Sequence, residues 1–231
     1  MLLPNGWSMT RLGDVLRREV HPVKVDATTT YQEIGIRSHC KGIFHKPEVS
    51  GRVIGEKRVF KVIPDALVLN IVFAWEQAIA VTNSDQIGMI ASHRFPMYRP
   101  LLDRCDVNYL RHYFSTFRGK ELLELASPGG AGRNKTLGQK NFEEIRVPMP
   151  ISGHEQKRIA ATLSAWDDAI ATGVRLLANK RKQKQALIES LVGGKENDAC
   201  ANWHTTSIMK LASVTVSSVN KKHQEGELSV Q

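Results

Sequence analysis

The chain has 231 residues, of which 42% are hydrophobic and 24% are charged. This composition is typical of a globular protein and excludes wholesale disorder, collagen and a small disulfide-stapled scaffold. Lysine and arginine total 32 against 23 acidic residues, so the net charge is +9, which favours a negatively charged partner such as nucleic acid. Aromatic residues are only 6%, so duplex binding is favoured over a single-strand stacking platform.

The expected compartment is the cytoplasm. The three cysteines are sparse and odd in number, as in proteins of a reducing compartment. No apolar run approaches the ~18–20 residues that span a bilayer, and Met1–Gly6 lacks the basic and apolar parts of a secretory signal. His39, Cys40 and His45 do not have the spacing of a zinc site, so we expect no metal.

Residues 1–150 show the pattern of an α+β domain. Short β-branched runs bounded by glycine and proline predict strands at Tyr31–Ile36, Arg52–Ile54, Arg58–Ile63 and Ala66–Phe73. Ala78–Thr82 and Met89–Ser92 predict a further hairpin-like pair, and Ile145–Pro150 predicts an edge strand. Between them, apolar residues at helical spacing over Val107–Leu125 predict one or two helices.

Residues 151–194 are predicted to form one long helix. Ser152 and Glu155 have the spacing of a capping box, and no proline follows before Leu191. Apolar residues then recur at coiled-coil-like spacing, interrupted by glycine and lysine. The predicted helix-pairing stripe consists of Ile159, Leu163, Trp166, Ile170, Leu177, Leu187 and Leu191. A helix of this length needs a second helix to cover such a stripe.

Residues 195–231 are too short and polar to build a core of their own. Residues 207–214 nevertheless repeat the pattern of residues 8–15, and Trp203 takes roughly the place of Trp7. The segment is therefore interpreted as the partial start of a second domain, which could remain disordered.

The order of these features resembles the specificity (S) subunit of type I restriction–modification enzymes. The family's recognition domain opens with a Trp and a Leu-Gly pair, here Trp7, Leu12 and Gly13, and closes with a Pro-x-Pro exit before the helix. The helix begins like Glu155–Ala160. Three further stretches look like one subgroup of these domains: residues 33–38, 90–96 and 133–139. The chain departs from full members, which carry two recognition domains and two long helices.

This resemblance implies a non-catalytic reader of double-stranded DNA that directs methylation (M) subunits and, through them, restriction (R) subunits. S-adenosylmethionine, ATP and magnesium belong to those partners in the family, so no cofactor is expected on this chain. A single recognition domain with one helix also suggests a homodimer paired through that helix. A stand-alone DNA-binding regulator remains an alternative.

Candidate DNA-contacting residues lie in two basic turns and a glycine-rich loop. The loop at residues 129–136 lacks the contiguous Gly-Lys-Ser/Thr of a P-loop, but its small residues allow backbone amides to approach phosphate. Asparagine suits an adenine edge, and arginine suits guanine or phosphate. The candidates are Arg37, Ser38, His39, Lys41, Lys46, His93, Arg94, Arg133, Asn134, Lys135 and Thr136.

A nuclease is the enzymatic alternative. Pro64-Asp65 and Glu155-x-Lys157 match the carboxylate and lysine pattern of a magnesium-dependent nuclease on paper. The two parts are far apart in the sequence and Glu155 caps a helix, so we expect chance similarity. An adenine methylase would need an Asn/Asp-Pro-Pro-Tyr/Phe motif and a glycine-rich cofactor turn, and neither is present.

Overall fold

The computed structural model describes residues 3–102, 104–129, 135–192 and 206–213. The chain divides into two compact units, Met1–Ile170 and Ala171–Gln231. The first unit extends past the predicted domain end at residue 150, because Gln156 and Ala160 of the long helix are buried. No helix among the described residues is both long and apolar enough to cross a bilayer.

The strands of the first unit are short and pair antiparallel. They are β1 (Trp7–Arg11), β2 (Leu16–Glu19), β3 (Pro22–Val23), β4 (Thr30–Tyr31), β5 (Ile34–Ile36), β6 (Ile43–His45), β7 (Val49–Ser50), β8 (Val59–Lys61), β9 (Leu67–Leu69), β10 (Ile79–Val81), β11 (Ile90–Ser92), β12 (Met97–Pro100) and β13 (Arg146–Pro150). A four-stranded sheet has the order β10-β9-β12-β2 and a three-stranded sheet has the order β11-β8-β3. The remaining pairs are β1–β13, β4–β7 and β5–β6.

Except for the short α1, the described helices follow β12 in the chain. They are α1 (Gly51–Ile54), α2 (Val107–Ser115), α3 (Phe117–Leu125), α4 (Gln139–Glu144), α5 (Gly153–Val192) and α6 (Ile208–Leu211). Short 3-10 turns occur at residues 12–14, 74–76 and 84–86. The mixture of strands and helices with one long helix confirms the predicted α+β class.

Two local predictions were wrong. Residues 52–54 belong to α1 rather than to a strand. The predicted pairing of the strands at 78–82 and 89–92 does not form either, since β10 pairs with β9 and β11 pairs with β8. Asn83 and Gln86 form a capping box around the intervening 3-10 turn, which provides local hydrogen bonds that a tight hairpin would not use.

The main core joins the sheets to α2, α3 and α4. Tyr98, Phe114 and Phe142 are fully buried at its centre, with ring centroids 5.1 Å and 5.8 Å apart for the two pairs that include Phe142. A fully buried large apolar side chain contributes about 1.5–3 kcal/mol, so this cluster is a principal source of stability. Pairing of β1 with β13, with Trp7 opposite Pro150, brings the start of the chain to the entry of the long helix.

The predicted helical stretch at 107–125 is two helices because Thr116 interrupts it. Its hydroxyl caps α3 by accepting a hydrogen bond from the Gly119 amide at 3.1 Å. A Cβ at Gly119 would lie 2.3 Å from the Tyr113 carbonyl oxygen, so the close turn requires glycine there.

Helix α5 confirms the predicted long helix and spans 40 residues. Ser152 Oγ accepts a hydrogen bond from the Glu155 amide at 3.4 Å, as the cap pattern predicts. Of the predicted stripe, Ile159 packs against the core. The other members are exposed: Leu163, Trp166, Ile170, Leu177, Leu187 and Leu191.

The second repeat differs from the first where it is described. Residues 208–211 form α6, whereas the matching residues near the N-terminus form β1 and a 3-10 turn. Strand β1 owes its extended form to pairing with β13, and 206–213 is paired with no strand of the described residues.

Candidate nucleic-acid interface

A basic groove lies at one end of the pairing between β8 and β11. In that pairing Val59 is opposite Ser92, so the residues before β8 and after β11 meet. The amide of His93 donates a hydrogen bond to the Arg58 carbonyl at 3.1 Å. The result is a cavity of about 330 Å³, which we call the basic groove, lined by Glu33, Lys46, Lys57, Arg58, Val59, Ser92, His93 and Arg94.

The groove carries more positive than negative charge. Its carboxylate, Glu33, is paired with Lys46, with 3.2 Å between the Nζ and Oε2 atoms. Lys57, Arg58 and Arg94 are exposed, and none of them forms an ion pair within the described ranges. Three cationic side chains therefore remain available to an anionic ligand.

Sequence reasoning found only part of this groove. The structure brings the candidates Lys46, His93 and Arg94 together there, and adds Lys57 and Arg58. The available signal was the basic pair Lys57-Arg58 at the start of a predicted strand. This basic pair reaches the groove only because β8 pairs with the distant β11, and the local sequence does not reveal that pairing.

A second cavity extends the groove along β3 and β8. It has a volume of about 650 Å³ and shares Lys57 and Arg58 with the groove. Its other walls combine the cationic Arg18 and the acidic Glu56 with apolar side chains such as Val23 and Phe60. The combined surface offers cationic side chains to the phosphate backbone of a nucleic acid. It also offers apolar side chains to the sugar and base groups beside that backbone.

The basic turn at residues 37–41 is the tip of the β5–β6 hairpin and lies apart from the groove lining. Arg37 is partly used by its own hairpin, since it donates to the Ile43 carbonyl at 3.2 Å and lies 4.8 Å from the Phe44 ring centroid. Ser38 Oγ donates to Glu76 at 2.9 Å. His39 and Lys41 are exposed.

The glycine-rich loop is described only at its edges. Arg133 and Asn134 lie outside the described residues, so their predicted contacts are not placed. The Lys135 ammonium forms an ion pair with Glu124 and lies 5.4 Å from the Trp75 ring centroid. This pairing holds the pKa of Glu124 below its usual range. Thr136 is exposed.

One segment, residues 70–77, contacts all three sets of candidates. The Ile71 amide donates to the Arg94 carbonyl at 3.0 Å, and the Ile71 carbonyl accepts from Leu137 at 2.8 Å. At the other end, the amides of His39 and Cys40 donate to the carbonyls of residues 76 and 77 at 2.7 and 2.9 Å. The segment thus links the groove, the loop edge and the hairpin tip, although no motif in the sequence indicated a binding role for it.

Polar contacts fix the first part of α5 to the rest of the first unit. The buried Gln156 amide accepts from the Asp106 N–H at 2.8 Å and donates to the Pro150 carbonyl at 2.7 Å. About three turns further on, the Arg111 guanidinium donates to Asp167 at 2.6 Å.

His112 completes this contact region beside the helix. Its Nε2 lies 3.0 Å from the Ser164 hydroxyl. Burial and the neighbouring Arg111 guanidinium lower the pKa of His112, and the Asp167 carboxylate opposes this shift. We therefore expect the neutral imidazole in the folded protein near neutral pH.

The nuclease residues do not assemble as that hypothesis requires. Asp65 and Lys157 line one cavity with Arg99 and Asp106, but Glu155 is not part of the lining. The Asp106 carboxylate caps α2 through the Tyr109 amide. Over the described ranges, no cluster of three His, Cys, Asp or Glu side chains could hold a metal ion.

Comparisons with known proteins agree with this fold. Residues 69–179 match the family model described as the type I restriction modification DNA specificity domain. None of the curated proteins matches the chain.

Solved structures match over most of the chain. The HsdS subunit from Thermoanaerobacter tengcongensis aligns with a TM-score of 0.62 at 20% identity, over 85% of this chain and 52% of that one. A chain from a structure of type I R-M system assembly and conformational transition aligns equally well, at 20% identity over 88% and 53%. The S subunit from M. genitalium gives a TM-score of 0.52 at 12% identity, over 83% and 47%. The present chain thus spans about half the length of these structures.

The family match covers part of β9 through the first part of the second unit, and the fold agreement extends over both flanks. Together, the family match over residues 69–179 and the shared fold support a similarity of this chain to type I restriction modification DNA specificity domains.

Proposed function

We propose that the chain recognises a double-stranded DNA sequence as a specificity subunit, or half-subunit, of a type I restriction–modification system. The observation that carries this proposal is the basic groove, in which Lys57, Arg58 and Arg94 are exposed without carboxylate partners among the described residues. Phosphate contacts from lysine and arginine supply most of the non-specific affinity of DNA-binding proteins. Base contacts from neighbouring side chains then supply the sequence preference.

Chemical protection of lysines tests this use of the groove. The full chain is acetylated under limiting conditions with and without duplex DNA, and each modified lysine is quantified by mass spectrometry. Lys57 and Lys46 should be protected by DNA, because both line the groove. Lys180 and Lys182, which are exposed on α5, serve as internal controls. Equal protection of all four lysines, or no protection at Lys57, would contradict the proposal.

The proposed partners of this chain rest on the same family match over residues 69–179. We propose that it binds methylation subunits and, through them, restriction subunits, and that these hold S-adenosylmethionine, ATP and magnesium. The chain itself would then be a non-catalytic component located in the cytoplasm.

An assay of methyl transfer distinguishes a non-catalytic DNA-recognition protein from an enzyme. The purified chain alone should transfer no labelled methyl group from S-adenosylmethionine to DNA. Addition of a methylation subunit should produce labelling at one defined sequence, and omission of this chain should abolish it. Labelling by the chain alone would contradict its role as a reader.

A further inference from the structure

We propose that Phe73 is a base-contacting, specificity-determining residue of the DNA interface, an inference that rests on the proposed function. Phe73 is 39% exposed although it is a large apolar residue. It lies within residues 70–77, the segment that hydrogen-bonds to the groove, the loop edge and the hairpin tip. Its position on a segment bonded to these three places separates it from an ordinary exposed side chain.

The placement follows from backbone bonds to distant parts of the chain. Two residues before Phe73, Ile71 is bonded to Arg94 of the groove and to Leu137 beyond the loop. Three residues after it, Glu76 is bonded to the hairpin tip through both its carbonyl and its carboxylate. DNA held by the groove and the hairpin tip would therefore pass close to the segment that carries Phe73.

The turn that carries Phe73 is held by its own hydrogen bonds. The Phe73 amide donates to the Asn70 carbonyl at 3.0 Å. Its carbonyl accepts from Glu76 and Ala78 at 3.0 and 3.1 Å. The Asn70 side chain accepts from the Val72 amide at 3.1 Å. Because the backbone is already ordered, presenting the ring costs little additional conformational entropy on binding.

The chemistry of the ring points to bases rather than to phosphates. A phenyl ring offers no hydrogen-bond donor to a phosphate oxygen. Duplex DNA exposes apolar groups at the thymine methyl in the major groove and at base faces where a step is opened by an apolar wedge. The positions of thymine methyl groups and the ease of opening a base step both depend on the base sequence. Contact with either group therefore gives sequence preference. Removing the exposed ring from water favours this contact.

Selection from a randomised duplex library tests the proposal on the full chain. Parent, Phe73→Ala and Phe73→Gln proteins are compared, with Phe117→Ala as the matched control because Phe117 is 78% exposed on α3. Both Phe73 variants should lose preference at one or two adjacent positions and bind the parent's selected site about tenfold more weakly. The slope of affinity against salt should be unchanged because no phosphate contact is lost.

Two modified duplexes then identify the apolar group. Uracil in place of thymine at the affected position removes the methyl group, and loss of binding would identify that contact. Fluorescence of 2-aminopurine at the same step would instead report unstacking by a wedge. The inference is overturned if both Phe73 variants select the parent's sequence with the parent's affinity, or if Phe117→Ala shows the same loss. A parent chain that binds no duplex at all would overturn the proposed function as well.

Discussion

The side chain of Gln156 holds the start of the long helix against the rest of the first unit. Its side chain is fully buried and bonds to the Asp106 amide and the Pro150 carbonyl. A buried donor or acceptor left without its partner costs about 1–3 kcal/mol. The glutamine thus fixes the first turn of α5 to both β13 and the start of α2.

Gln156→Ala should lower the free energy of unfolding by about 2–3 kcal/mol, because two buried backbone groups lose their partner. Urea denaturation followed by circular dichroism measures the change. Gln185→Ala is the matched control on the same helix, since Gln185 is exposed and bonds only to Glu189 among the contacts described. That control should change stability by less than about 0.5 kcal/mol. Equal effects at the two positions would show that the buried bonds are unimportant.

His112 should make stability depend on pH. Because burial lowers its folded-state pKa, the unfolded chain binds a proton at this site at pH values where the folded chain does not. The contribution is complete above the unfolded pKa of about 6.5 and is lost as the pH falls below it.

Unfolding free energies of the parent and His112→Gln should therefore diverge between about pH 7 and pH 5, with the parent losing more stability. His154→Gln, a change at an exposed histidine, controls for the loss of one imidazole and should follow the parent. Parallel curves for the parent and His112→Gln would rule out this titration.

At the scale of elements, α5 changes character along its length. Its first turns bury Gln156 and Ala160, whereas its described residues from Ala165 to Glu189 are exposed. Apolar side chains such as Leu177 are therefore left in water, and an exposed apolar stripe at heptad-like spacing is typical of a helix that pairs. Helix pairing between two copies remains our prediction for this element.

Leu163→Glu combined with Ile170→Glu should convert a dimeric parent into a monomer, because a buried charge without a partner costs several kcal/mol. Sedimentation velocity measures the change. Ala165→Glu with Thr172→Glu is the matched control, since it adds the same charges at the same spacing on another side of the helix. A parent that stays monomeric at tens of micromolar contradicts helix pairing. So does a Leu163→Glu, Ile170→Glu variant that still dimerises.

The elements that the sequence predicted correctly are those with a local signal. The long helix has both a cap at Ser152 and a proline-free apolar pattern up to Leu191, and its observed bounds agree within two residues. The strand predicted at 52–54 lacked such a signal and proved to be helical. The groove required the pairing of β8 with β11, and the bond of Gln156 to Asp106, 50 residues away, could not be inferred from its neighbours in sequence. Long-range pairing therefore accounts for most of what was missed.

At the scale of the whole molecule, the excess of positive charge and the basic groove both bear on binding to a polyanion. The net charge of +9 favours association with any polyanion. The groove adds a defined place for that association, and the family match over residues 69–179 supports the proposed role in DNA recognition. A protein that bound DNA through its overall charge alone would be indifferent to which cations were removed.

The salt dependence of duplex binding distinguishes these two cases most directly. Affinities are measured by fluorescence anisotropy over a series of salt concentrations for the parent, for Lys57→Ala with Arg58→Ala, and for Lys180→Ala with Lys182→Ala. Both double variants lose the same charge. The groove variant should reduce the slope of log affinity against log salt by about 2, since each phosphate contact contributes about 0.9, and the helix variant should leave it unchanged. Equal slopes for the two variants would contradict DNA recognition through the groove.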